Sequence, residues 1–143
     1  MDAKRFVTTT LAGGVAVLLT GYLIFALPPF EGFYAYAMNA GSATGVARES
    51  PVLWAVALGA LSYSALIVFA IGNQARSVNT ATGIKIGALV GFLVWFTADF
   101  MFYGISHVGN LTTTVVDPLL ELVPGAVAGG VIALVIGMGR DRR

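Results

Sequence analysis

The chain has 143 residues, of which 57% are hydrophobic and 10% are charged, and its mean hydropathy is +0.86. Soluble domains usually carry about a quarter charged residues, so water is not expected to be the main solvent of this fold. The net charge of +1 and the scattered basic residues exclude a nucleic-acid-binding surface. The lack of cysteine excludes disulfides, thiolate metal sites and cysteine nucleophiles. Composition therefore predicts a small integral membrane protein.

Four stretches of the chain are long and apolar enough to cross a bilayer. A transmembrane helix needs about 20 predominantly apolar residues, and such stretches occur at about 6–27, 51–71, 82–105 and 112–138. The sequence predicts an all-α fold, in which a single polytopic domain forms a bundle of four transmembrane helices.

Residues 29–39, between the first two spans, carry a second kind of helical pattern. One apolar face with helical spacing is formed by Phe30, Phe33, Tyr34, Ala37 and Met38. This pattern follows two prolines at a membrane exit. It is typical of a short helix in the outer interface, with its aromatic side chains at headgroup depth.

The distribution of Lys and Arg predicts the orientation, since positively charged flanks stay in the cytoplasm. With four spans, Arg48 lies on one side, and the other side holds Lys4, Arg5, Arg76, Lys85, Arg140, Arg142 and Arg143. Both termini and the 72–81 loop are therefore predicted to be cytoplasmic. The expected location is a bacterial cytoplasmic (inner) membrane, with the lipid bilayer as the first partner.

The last two spans each contain a row of small residues at steps of four. The glycines that we expect to pack the helices are Gly83, Gly87 and Gly91 in the third span and Gly125, Gly129 and Gly137 in the fourth. Residues four apart lie along one ridge of a helix, and small residues allow two backbones to approach closely in lipid. Because the loop at 106–111 is short, these spans are predicted to be antiparallel neighbours in tight contact near the cytoplasm.

The same two rows end in acidic residues in the outer half of the membrane. Asp99 and Glu121 are predicted to lie at similar depth, with Asp117 about one helical turn closer to the outside. Asp117 and Glu121 share a helix face, and Pro118 and Pro124 bracket Glu121 and loosen the backbone hydrogen bonds around it. The sequence thus predicts one carboxylate cluster that binds an ion, a proton or a partner.

These acids have no obvious counter-ion within the chain. A charged carboxylate at a helix centre costs about 2.5 to 3.5 kcal/mol on insertion scales, and no Lys or Arg lies in the same half of a span. Three solutions remain open: the acids are protonated, they meet water and a cation in a cavity, or a partner subunit supplies the positive charge. Thr97, Tyr103 and His107 are the candidate supporting groups.

Each acid also has a purely structural interpretation. Asp99 and Glu121 can act as hydrogen-bonded links between helices, and Asp117 can cap the fourth helix near its N-terminus. The remaining aromatic residues are interpreted as interface anchors or packing residues: Tyr22, Tyr34, Tyr36, Trp54, Tyr63 and Trp95. With a single His and no catalytic constellation, the sequence predicts no enzymatic activity, no metal site and no cofactor.

The segment from Val94 to Asp99 reads Val-Trp-Phe-Thr-Ala-Asp, and Asp117 follows it after Val116. This pattern resembles the small bacterial membrane proteins of domain of unknown function 2177, in which a Thr-Tyr-Asp motif ends the third span and Val-Asp opens the fourth. The resemblance implies a four-span bundle in which Asp99 and Asp117 belong to a shared site. A second family of unknown function, number 1761, has a similar four-span plan.

The sequence favours two functions from different classes. The first is a non-catalytic accessory subunit or assembly partner, which presents its helix faces to other membrane subunits or to copies of itself. The alternative is a small oligomeric transporter or channel that binds a proton, a cation or an amine solute at the outer carboxylates. An intramembrane enzyme, or a module that binds lipid or pigment, is a third class with less in the sequence to favour it.

Overall fold

A computed structural model of the chain describes residues 1–25, 27, 50, 52–73, 79–107 and 109–138. Its helices are α1 (Ala3–Phe25), α2 (Leu53–Gly72), α3 (Thr80–Ile105), α4 (Leu111–Leu120) and α5 (Leu122–Met138). These described residues contain no strand, so the predicted all-α fold is confirmed. The predicted interfacial helix at 29–39 lies outside the described residues.

Four helical segments are long and apolar enough to span a membrane: α1, α2, α3, and α4 together with α5. Their bounds lie within three residues of the predicted spans. The agreement has a simple physical cause, because the length of an apolar stretch and the thickness of the bilayer both act on the chain without any tertiary contact.

Two asparagines fix where helices begin. The Asn79 side chain accepts a hydrogen bond of 2.8 Å from the Thr82 backbone N–H at the start of α3. Asn110 accepts a bond of the same length from the Thr113 N–H at the start of α4. Asp117 therefore does not cap the fourth span. It lies inside α4, and the cap position belongs to Asn110.

The fourth span is interrupted at Glu121, which separates α4 from α5. Pro118 and Pro124 have no backbone N–H, so the carbonyls of Thr114 and Leu120 lose their usual helical donors. The chain nevertheless continues in one direction, because the Glu121 N–H donates to the Asp117 carbonyl at 3.0 Å and the Gly125 N–H to the Glu121 carbonyl at 3.2 Å. The fourth span is two helices in series around one acidic residue.

Helix α5 is the centre of the bundle. It contacts α1, α2 and α3, and its contact with α3 is the most extensive in the described residues, whereas α1 and α3 do not touch. Sequential spans are antiparallel. We call the end with the first residues of α1 and α3 and the last residues of α2 and α5 the terminal end. The end with the 106–110 loop is the loop end.

An aliphatic core lies between α2 and α5. Its fully or almost fully buried residues are Ile67, Val68, Ile71, Ala128, Ile132 and Ile136. Helix α1 closes over this core, where the Ser64 hydroxyl donates to the Thr10 carbonyl at 2.8 Å. The Arg5 guanidinium donates to the Ile136 carbonyl and so satisfies a backbone group near the C-terminus of α5.

The outer surface of the bundle is apolar along the spans. Leu19, Leu58, Leu89 and Val123 are all half exposed or more. Such a surface is stable in hydrocarbon and unfavourable in water. The structure thus agrees with composition that this is a multi-pass membrane protein.

Candidate functional site

Glycines bring α3 and α5 into backbone contact. A Cβ added to Gly87 would overlap the carbonyl oxygen of Gly125, and a Cβ on Gly125 would overlap that of Gly87. The same holds one turn away for Gly83 and Gly129. No side chain larger than hydrogen fits this crossing without moving a helix, so the rows of small residues lie where the sequence predicted a close approach.

Gly137 is an exception to this pattern. A Cβ there would meet nothing within 4 Å, so Gly137 takes no part in the close contact, which reaches Gly83 and Ala133 near the first residue of α3, Thr80. Sequence reasoning also missed the contact of Gly13 and Gly14 with Ser64 and Leu61 of α2. Their adjacency within the first span was the available signal.

Three carboxyl groups meet at the loop-end side of this crossing. Asp99 comes from α3, Asp117 from α4 and Glu121 from the junction of α4 and α5. The carboxyl groups of Asp99 and Asp117 lie within interaction distance of each other, and Glu121 is close enough to interact electrostatically with both. Asp117 and Glu121 are buried, with 4% and 6% of their surface exposed, and Asp99 lies at the edge of the cluster.

Two carboxyl groups can form a hydrogen bond with each other only when one of them carries a proton, because a carboxylate only accepts. Arg5 and Lys85 lie far from this cluster. Arg5 binds a carbonyl at the terminal end, and Lys85 precedes Asp99 by roughly 20 Å along α3. Within the described part of the chain, no group of His, Asp and Glu is arranged to hold a metal ion.

The three predicted supporting residues, Thr97, Tyr103 and His107, are all exposed. The Thr97 hydroxyl donates to the Leu93 carbonyl at 2.8 Å and faces outward, because residues two apart are about 200° apart around a helix. Tyr103 is 45% exposed, and His107 is exposed in the loop between α3 and α4. The Thr97 hydroxyl is therefore not a donor to the acids.

Tyr63 is the polar group that sequence reasoning did not assign to this site. It is a packing residue with 8% of its surface exposed, and its hydroxyl has no hydrogen-bond partner. The hydroxyl lies against Gly91 and Gly125, at 2.9 Å from a Cβ built on Gly125, and it interacts electrostatically with Glu121. Its position in the middle of α2, far from either membrane interface, was the signal against an anchoring role.

Comparison with known proteins finds no family model, no curated protein and no solved structure that matches this chain. The resemblance to domain of unknown function 2177 stays a prediction.

Proposed function

We propose that this chain is a small, non-catalytic membrane transport protein that takes up and releases protons at Asp99, Asp117 and Glu121. The observation that carries the proposal is the close approach of the carboxyl groups of Asp99, Asp117 and Glu121, which come from α3, α4 and the junction of α4 and α5. Neighbouring carboxylates repel each other, and this repulsion favours the binding of a proton by one of them.

Burial favours a proton over other ligands of the cluster. A neutral carboxylic acid is tolerated at membrane depth, whereas an isolated carboxylate is costly there. A proton also needs no coordination geometry, unlike a divalent metal ion, which requires a fixed set of oxygen ligands. The three acids are thus suited to exchange protons among themselves without any change in helix packing.

Exposure gives this exchange a direction. Asp99 is the least buried of the three acids, although its Oδ2 atom is itself buried. Asp117 and Glu121 are more deeply buried, and the glycine crossing closes the space between α3 and α5 further toward the terminal end. Asp99 is therefore the entry point in this proposal.

The orientation of the chain in the membrane is part of the proposal. Lys4, Arg5 and Lys85 all lie toward the terminal end of their helices, and positively charged flanks remain in the cytoplasm. We place the terminal end in the cytoplasm of a bacterial cell, so that the acids open toward the outside of the inner membrane.

Proton flux in reconstituted vesicles tests this function. The purified chain would be incorporated into liposomes that contain a pH-sensitive dye, and a potassium gradient with valinomycin would drive proton entry. We expect flux above that of empty liposomes and a fall of at least tenfold in the double variant Asp99→Asn with Glu121→Gln, because amides cannot exchange the proton.

Asp2→Asn is the matched control, since it removes an exposed carboxyl group remote from the cluster and retains an oxygen for the Arg5 backbone N–H. Infrared difference spectroscopy on the same samples would detect protonated carboxylic acids directly. The proposal is wrong if wild-type flux equals that of empty liposomes, or if the double variant conducts like the wild type.

A second candidate function is that of an accessory subunit or self-assembling partner. It is favoured by Ala55 and Gly59, two small residues that are exposed on the outer face of α2, where a Cβ on Gly59 would meet nothing within 4 Å. Small residues on a lipid-facing helix permit close association with another helix. The oligomeric state in mild detergent checks this candidate: Gly59→Leu should dissociate the complex, and a wild-type monomer that binds nothing would exclude it.

A further inference from the structure

Tyr63 presents an energetic problem that packing alone does not explain. A buried hydroxyl without a hydrogen bond costs about 1 to 3 kcal/mol, and phenylalanine would fill the same space without that cost. The hydroxyl also requires room in the tightest part of the bundle. A side chain at Gly91 or Gly125 would overlap or crowd it.

Few groups around the Tyr63 hydroxyl can accept a hydrogen bond from it. Gly91 of α3 and Gly125 of α5 form a notch around it, and the Glu121 backbone carbonyl borders the same notch beside Gly91. Glu121 is the titratable residue with which Tyr63 interacts electrostatically. Among the described residues, Asp117 and Asp99 are the titratable groups that interact electrostatically with Glu121.

We infer that the Tyr63 hydroxyl donates a hydrogen bond to the Glu121 carboxylate after Glu121 has passed its proton to Asp117. This inference rests on the proposed function, which it extends with a fourth residue. Glu121 loses one proton and Asp117 gains it, while the phenol keeps its own proton and only donates a hydrogen bond.

The role assigned to Tyr63 is that of a positioning residue. It stabilises the charged state of Glu121, since a charge-assisted hydrogen bond is stronger than one between neutral groups. The notch between Gly91 and Gly125 then has a second use besides helix packing, because it admits the phenol to the acid cluster from α2.

Tyr63→Phe removes the hydroxyl and keeps the ring, so the fold should be retained. We expect proton flux in liposomes to fall at least tenfold. In infrared difference spectra, the carboxylate-stretch band that disappears in Glu121→Gln should shift in Tyr63→Phe, because the deprotonated Glu121 loses its hydrogen-bond donor. Tyr103→Phe is the matched control, since Tyr103 is 45% exposed, and it should alter neither flux nor the band.

The outcomes separate this inference from the proposed function. If Glu121→Gln abolishes flux while Tyr63→Phe changes neither flux nor the band, the inference is overturned and the proposed function stands. A loss of flux without a shift of the band assigns Tyr63 to packing alone and also overturns it. If the wild type conducts no protons, the proposed function fails, and the band alone then supports or rejects the bond between Tyr63 and Glu121.

Discussion

Gly87 shows how a single missing side chain shapes this bundle. The oxygen that a Cβ at this position would meet belongs to the Gly125 backbone, so no rotamer change can relieve the overlap. The two helices would have to separate, and that movement would also open the notch that holds the Tyr63 hydroxyl. Helix packing and the acid site therefore depend on the same few glycines.

We expect Gly87→Ala to lower the free energy of unfolding in detergent by about 2 kcal/mol or more, at or above the usual cost of overpacking a core. Gly137→Ala is the control, because its Cβ would occupy open space, and it should change stability by less than about 0.5 kcal/mol. Denaturant unfolding followed by circular dichroism measures both. Equal stability of the two variants would contradict the crossing described here.

The fourth span combines a side-chain cap at its first turn with two prolines around Glu121. Asn110 begins α4 with a side-chain cap, and Pro118 and Pro124 interrupt the hydrogen-bond pattern on either side of Glu121. An uninterrupted helix would satisfy every backbone group around Glu121. The interruption leaves this part of the span easier to rearrange when the side chain gains or loses charge.

Asn110→Ala should destabilise the protein by about 1 kcal/mol, because the Thr113 N–H loses its acceptor. Asn110→Asp keeps an oxygen in the capping position, so we expect stability close to that of the wild type. Melting temperatures of the two variants in the same detergent would measure the difference. Identical destabilisation in both variants would show that the cap is not the cause.

For the whole molecule, the antiparallel order of the spans places Asn73 and His107 at opposite ends of the bundle. Both residues are exposed. The chain contains no native cysteine, so single cysteines at these positions report on membrane sidedness without background labelling.

In oriented vesicles, a membrane-impermeant thiol reagent should label Asn73→Cys from the cytoplasmic side and His107→Cys from the opposite side. Leu89→Cys, on the lipid-facing surface of α3, should resist labelling from both sides. Labelling of Asn73→Cys and His107→Cys from one and the same side would rule out the four-span arrangement.

The sequence by itself determined the number of helical segments that are long and apolar enough to span a membrane, their approximate bounds, and the close approach of the third and fourth of them. These features depend on composition along one helix and on spacing of four residues, which act locally. The cap at Asn110 and the departure of Gly137 from the glycine contact were not predicted, because both depend on where neighbouring segments end or diverge.

Only the tertiary structure decided that Tyr63 reaches Glu121. Tyr63 lies on α2, whereas the acids lie on α3, on α4 and at the junction of α4 and α5, so no spacing in the sequence connects them. The connection arises because α5 contacts both α2 and α3 and because glycines on α3 and α5 leave a gap at the depth of Tyr63. Which side chain fills a gap between three helices is a property of their mutual packing, and a linear pattern does not contain it.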